Sequence, residues 1–227
     1  MKIVSFCAAA ILLTTSGKAQ LARLQGGFNL ANVSVTDNGR VDEANMLSSF
    51  QAGIVGDLHL GSILYLQPGL LFTGKGSKVE KGVEGSNAYF KQTFNPYYIE
   101  VPVNLVLKAP LGTTNHFFAG AGPYLGIGVT GKVKTEKTVF GVTTKTERNI
   151  TYSNDDPTTF NQEEGTGFGV IKRFDYGLNG TAGIEGRSLV LSVNYGLGLA
   201  KLQSGTNSSA DNDNKHRVLS FTLGFKL

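Results

Sequence analysis

The sequence predicts an all-β fold, an eight-stranded antiparallel up-and-down transmembrane β-barrel with long extracellular loops and short periplasmic turns. Three observations predict it. Apolar residues recur with a period of two rather than 3.6 in eight separate segments. The connections between these segments are alternately long and short. Charged residues make up only 17%, and glycine is abundant at 30 of 227 residues. An ordinary soluble domain carries roughly 25% charge and about 7% glycine.

The chain opens with MKIVSFCAAAILLTTSGKAQ. Lys2, an apolar run from Ile3 to Leu13 and small residues up to Ala19 form the pattern of a secretory signal. Residues 1–19 are therefore expected to be cleaved, and residues 20–227 to form the barrel domain. Cleavage would remove Cys7, the only cysteine, so disulfides are not expected in the exported chain. It would also remove Lys2 and Lys18, taking the basic count from 21 to 19 against 17 acidic residues. So small an excess excludes a nucleic-acid footprint.

Strands are expected at 22–32, 48–60, 62–74, 94–108, 116–131, 173–186, 188–200 and 216–227. In YYIEVPVNLVLK, Tyr97, Ile99, Val101, Val103, Leu105 and Leu107 share one face, and Tyr98, Glu100, Pro102, Asn104 and Lys108 the other. FDYGLNGTAGIEG and SLVLSVNYGLGLAK alternate in the same way. The final HRVLSFTLGFKL puts Leu219, Phe221, Leu223, Phe225 and Leu227 on one side. After residue 19 no run of 18 apolar residues occurs, so helical spans are excluded.

Long connections are expected at 33–47, 75–93, 132–172 and around QSGTNSSADNDN, and short ones at Gly61, APLGTTN and Gly186-Arg187. This alternation is that of bacterial outer-membrane barrels, with long loops outside and both termini in the periplasm. The greasy faces then look onto lipid. Gly120, Gly122, Gly126 and Gly128 fall on the inward parity of one strand, where small residues leave room. Aromatic girdles are expected from Phe50, Phe72, Phe94, Tyr97, Phe174 and Tyr176 outside and from Tyr65, Phe117 and Phe225 inside.

Asp57, Glu100, Asp175, Glu185, Lys108 and Lys226 have inward parity. Unpaired charge in a narrow lumen is costly, so a structural network is expected, with Glu100 and Glu185 at similar depth sharing Lys226. Lys75, Lys132 and Lys201 end three outward-running strands and form a basic rim. Two readings stand: lysines snorkelling to the interface, or a binding site for lipopolysaccharide phosphates.

Other motifs carry less. GIGVTGK (126–132) matches glycine spacings of nucleotide sites, but no helix follows it and Val133 stands where a magnesium-binding hydroxyl belongs. SADNDNKH lacks the glycine and distant glutamate of a calcium loop. His216 and Ser220 share a face, which alone does not assemble a catalytic site. No catalytic residue, metal or cofactor is expected.

Six stretches in order resemble the PorT-like outer-membrane β-barrel family of Bacteroidetes-type bacteria. They are GGFNLANVS, LYLQPGLLFTGKG, YYIEVPVNLVLK, FFAGAGPYLGIGV, DYGLNGTAGIEG and LSVNYGLGLAKL. The resemblance implies an eight-stranded barrel in the bacterial outer membrane and, through the founding member, an association with protein secretion. The expected function is that of a non-enzymatic surface protein in envelope structure, surface interaction or accessory secretion. The expected partners are outer-membrane lipid, lipopolysaccharide and, during biogenesis, the barrel-assembly machinery, with the chain a monomer. Two alternatives stay open: a small outer-membrane hydrolase acting on lipid A or peptide, and a soluble lipocalin-like binder with its greasy face inward.

Overall fold

A computed structural model describes residues 21–34, 46–153, 170–202 and 215–227. The expected signal segment and the Asp211–Asp213 loop lie outside the described residues. The strands are β1 (Leu21–Ser34), β2 (Leu47–Gly61), β3 (Leu64–Gly74), β4 (Ser77–Lys81), β5 (Ala88–Leu111), β6 (Asn115–Val139), β7 (Val142–Asn149), β8 (Thr151–Tyr152), β9 (Val170–Ile171), β10 (Phe174–Glu185), β11 (Leu189–Gly198) and β12 (Lys215–Lys226).

Eight of them close a ring. Neighbours in the order β1, β2, β3, β5, β6, β10, β11, β12 are hydrogen-bonded antiparallel, and β12 returns to β1 with Phe28 opposite Phe221. Every barrel strand thus has two partners, which lipid requires because it offers backbone amides no hydrogen bonds. No helix among the described residues is long and apolar enough to cross a membrane.

Alternation sets the two faces as expected. On β5, Ile99, Val101, Val103, Leu105 and Leu107 point outward and stay exposed, while Tyr98, Glu100, Val106 and Lys108 are buried. The outward apolar run from Tyr97 to Leu107 matches the ~9–11 residues a tilted strand needs to cross the hydrocarbon. Phe50, Phe72 and Tyr97 gather at its outer end, with the Phe72 and Tyr97 rings stacked at 5.2 Å. Polar buried chains inside and apolar chains outside overturn the lipocalin-like alternative, which needs the reverse.

Two girdle assignments are corrected. Phe94 is buried in an apolar cluster at the outer mouth, because its even number on β5 shares the inward parity of Tyr98. Tyr65 also turns inward, its ring 4.3 Å from the Lys108 ammonium.

The larger correction concerns the loops. β5 and β6 run 24 and 25 residues, more than twice what the bilayer needs. Their outer halves leave the ring and pair with β4 on one side and β7 on the other. Segments 75–93 and 132–149, expected as loop, are therefore largely a four-stranded sheet standing above the barrel. A shift between Tyr97 and Tyr98, which pair with Thr130 and Gly128, marks where the sheet departs. The extra residue there switches the inward parity of β6 from Gly126 and Gly128 to Gly131 and Val133.

An arginine in the middle of the lipid-facing band tests this orientation. Leu105→Arg is expected to destabilise the barrel by about 2–4 kcal/mol, measured by denaturant unfolding in lipid vesicles. An unchanged midpoint would place Leu105 away from lipid.

Candidate functional site

The lumen holds two charged layers. In the outer layer Lys75, just past the end of β3, reaches Glu100 of β5 at 2.5 Å and Asp175 of β10 at 2.8 Å. Its ammonium also lies 3.9 Å from the centre of the Tyr124 ring. The Tyr124 hydroxyl donates to Asp175 Oδ2 at 3.1 Å, and the Asn179 amide donates to Glu100 Oε1 at 3.2 Å. Gly126 lies opposite both Glu100 and Asp175, so the ladder itself brings the two carboxylates to one level.

The inner layer centres on Lys108, which bonds Asp57 and, at 2.8 Å, Glu185. Lys226 lies 3.5 Å from Glu185 and donates to the Gly186 carbonyl at 2.9 Å. Gln67 donates to Asp57 Oδ1, and Arg23 donates to Gln25 and Gln67. Between the layers lies a cavity of about 40 Å³ lined by Gln25, Gln67, Asn104, Thr181 and Asn194. That holds a few waters at most, since each needs roughly 10–15 Å³.

Apolar clusters accompany the charges. Val106, Phe118 and Val190 pack together toward the periplasmic end. At the outer mouth Val33, Phe94, Tyr98 and Val133 meet Ile150, Ile171 and Leu202, which the connecting segments fold over the opening. Tyr152 joins this plug and donates to the Thr130 carbonyl at 2.6 Å. Its ring fills the space over Gly128, where a Cβ would sit 2.0 Å from Cε1, so this position requires glycine. His216 is buried beneath the plug with Nε2 3.3 Å from the Tyr98 hydroxyl.

The expected site residues sort differently from their sequence grouping. Asp57, Glu100, Asp175, Glu185 and Lys226 all face the lumen, but in two layers. Glu185 lies opposite His116, near the periplasmic end, so it and Glu100 do not share Lys226. Lys75 is not on the rim. It continues the inward parity of Leu71 and Thr73 and is 3% exposed. Lys132 is exposed on the standing sheet and pairs with Glu147 at 2.5 Å. Lys201 is exposed beyond β11. Hydrogen bonds from Lys132 and then Lys134 hold the Glu147 carboxyl below its ordinary range.

Sequence reasoning missed the bridging roles of Lys108 and Asn179, and left out Arg23 and Gln67. All four share the inward parity of their strands, which was the available signal. Among the described residues no cluster of His, Cys, Asp and Glu has the makings of a metal site.

The filled polar interior, the closed ring and the apolar belt define an integral β-barrel membrane protein. Residues 19–204 match the family model for the outer membrane protein beta-barrel domain, and the chain belongs to that family. It is a protein of the bacterial outer membrane. No curated protein matches it by sequence. Similar solved structures include Ail, the attachment invasion locus protein of Yersinia pestis, in complex with the heparin analogue sucrose octasulfate. It is 13% identical, with 92% of this chain and 100% of that chain covered and a TM-score of 0.42. OprG from Pseudomonas aeruginosa is 14% identical over 93% and 98% of the chains, with a TM-score of 0.41. Neisserial surface protein A is 12% identical over 91% and 97%, with a TM-score of 0.41.

The outer layer gives a stability prediction. Lys75→Met leaves Glu100 and Asp175 buried without their cation and is expected to cost about 3–5 kcal/mol. Adding Glu100→Gln and Asp175→Asn is expected to recover part of that loss, measured by unfolding in detergent. A single variant as stable as wild type would show that the ion pairs carry no weight.

Proposed function

We propose that this chain is a PorT-like, non-enzymatic surface barrel of a Bacteroidetes-type outer membrane. Its work is done by what stands outside the membrane, in envelope organisation or as an accessory to secretion. The observation that carries this reading is the plugged, ion-paired lumen. Among the described residues the interior is filled by ion-paired and apolar side chains, which favours a role in stability over solute passage. The standing sheet and outer rim are what remain for contact with other molecules. The six stretches in PorT-like order favour the finer family assignment.

A hydrolase reading finds little support. His216 is sealed under the plug against Tyr98, and no hydrogen bond links it to Ser220 among the described residues. A nucleophile, base and oxyanion donor around an open pocket are what catalysis needs.

Lipopolysaccharide is the ligand class proposed for the rim. Lys132, opposite Asn95, stands just beyond Tyr97 and its stack with Phe72, and Lys201 lies exposed beyond β11. Lys75 drops out of this proposal because its charge is spent in the lumen. The barrel itself is proposed to be a monomer in its membrane, inserted by the barrel-assembly machinery, because ring closure leaves no lipid-facing edge to pair.

Two measurements test the function. In planar bilayers the purified protein is expected to give no steady ion conductance, and open channels of porin size would refute the sealed-lumen reading. Lys132→Glu with Lys201→Glu is expected to lower the lipopolysaccharide that co-purifies with the folded barrel, and unchanged content would remove that ligand.

A further inference from the structure

Among the described residues the standing sheet ends on β7, an edge strand paired on one side only. β7 begins after a two-residue turn in which Phe140 (φ 51°) and Gly141 (φ 79°) are both left-handed, the geometry of a tight hairpin. Its register with β6 is unbroken from Val142 opposite Val139 to Asn149 opposite Lys132. Just beyond, the Ile150 N–H bonds the Gly131 carbonyl at 2.9 Å. Antiparallel ladders alternate, so the even-numbered residues of β7 direct their backbone groups to β6. Thr143, Lys145, Glu147 and Asn149 direct theirs to the open side. No described strand pairs there, and all eight residues are exposed. Edges are normally blunted by proline, a bulge, a cover or charged side chains; β7 has neither proline nor bulge, and its charges on the outward face, Lys145 and Glu147, are of opposite sign.

The outward face adds a charge pattern. One rung reads Glu80, Lys91, Glu136, Lys145 across β4, β5, β6 and β7, with each residue directly opposite the next. Signs alternate along it, as favourable cross-strand pairs require. The neighbouring rung runs from Lys134 to Glu147 at the edge. The edge therefore presents an ammonium and a carboxylate two residues apart on one face. A fifth strand that continued both rungs needs a carboxylate beside Lys145 and an ammonium beside Glu147.

We propose that the β7 edge adds a second copy of this chain, pairing antiparallel with its own counterpart about Thr146. In that register Lys145 faces the second copy's Glu147 and Glu147 faces the second copy's Lys145, so both rungs continue. The edge-facing residues Lys145 and Glu147 form the hydrogen-bonded pairs, and Thr146 meets Thr146 at a non-hydrogen-bonded site. The two-fold axis lies perpendicular to the sheet and reverses strand direction. The two barrels thus sit at opposite ends of one eight-stranded sheet. Such pairing joins facing membranes and leaves each barrel a monomer within its own. This extends the reading of the sheet as the surface-exposed working part, but the contact itself exists in detergent whichever way the barrel faces.

The test uses the full chain with Cys7 replaced by Ser. Thr146→Cys under mild oxidation in detergent is expected to give a disulfide-linked dimer, since opposed Cβ atoms lie within about 4.5–5.5 Å. Thr144→Cys, which faces Arg148 of the second copy, is expected to give about ten-fold less. Lys145→Pro removes an edge-facing N–H without touching a bond to β6, and is expected to suppress the Thr146→Cys dimer. Heat-dependent gel mobility checks that each variant keeps its barrel. Equal cross-linking at 144 and 146, no dimer at 146, or a dimer indifferent to Lys145→Pro overturns the proposal. Loss of lipopolysaccharide contact in Lys201→Glu, beyond β11 and outside the standing sheet, would leave the cross-link intact, so the two readings fail separately.

Discussion

Everything in this molecule follows from the requirement that no backbone amide be left unbonded in hydrocarbon. A single unsatisfied group there costs several kcal/mol, and an open sheet crossing a bilayer would expose a full row of them at each edge. The pairing of β12 with β1 removes both edges at once. Closure then dictates the rest. With eight strands the interior is too narrow for a water column and must be filled with side chains. With lipid outside, the faces must invert the arrangement of a soluble protein. The exposed leucines and phenylalanines of β5, β11 and β12 and the buried Gln67, Asn29 and Thr73 are consequences of one geometric fact.

Filling a polar interior raises its own problem, because buried charge stabilises only when every partner is present. The chain distributes its lumen charges so that two buried lysines each sit between two anions. Lys75 lies between Glu100 and Asp175, and Lys108 between Asp57 and Glu185. The inner trio joins β2, β5 and β10, and the outer one joins β5 and β10 through a residue just past the end of β3. A register slip of one residue on any of them would turn a charge into lipid. The layers thus discriminate against misaligned closure as well as contributing energy. Hydrophobic residues of similar volume would fill the space without that discrimination.

Most of the barrel was legible because a strand with lipid on one side and a packed lumen on the other must alternate. Tyr97 to Lys108 could be assigned face by face from sequence alone. The standing sheet was not legible, for the converse reason. Above the membrane, water or partly wetted loops meet both faces, so VTTKTERN and SKVEK carry no apolar period and read as loop. Lys75 was misplaced because the end of a strand was equated with the rim, although its parity with Thr73 already pointed inward. Depth failed for a third reason. Register between tilted strands is fixed by pairing partners, and residue counts from the nearest turn do not give it. Glu100 is level with Asp175 through Gly126, whereas Glu185 is level with His116.

The standing sheet is where the closure rule is relaxed. β5 and β6 take part in the ring below Tyr97 and leave it above, and a sheet that leaves a barrel regains the edges that closure had removed. In water those edges are solvated and tolerable, so the physics that forbids them below permits them above. What is permitted need not be left unprotected, and among the described strands the other edge of this sheet, β4, is only five residues long. β7 instead runs eight residues in unbroken register, and its outward charges belong to rungs that stop at the edge with opposite signs. Random surface charge would guard such an edge by repelling every strand. An ordered ammonium and carboxylate repel most strands and accept those with the complementary order, among them the same strand reversed. The edge of β7 is therefore selective in its chemistry, which separates a recognition surface from a merely uncovered one.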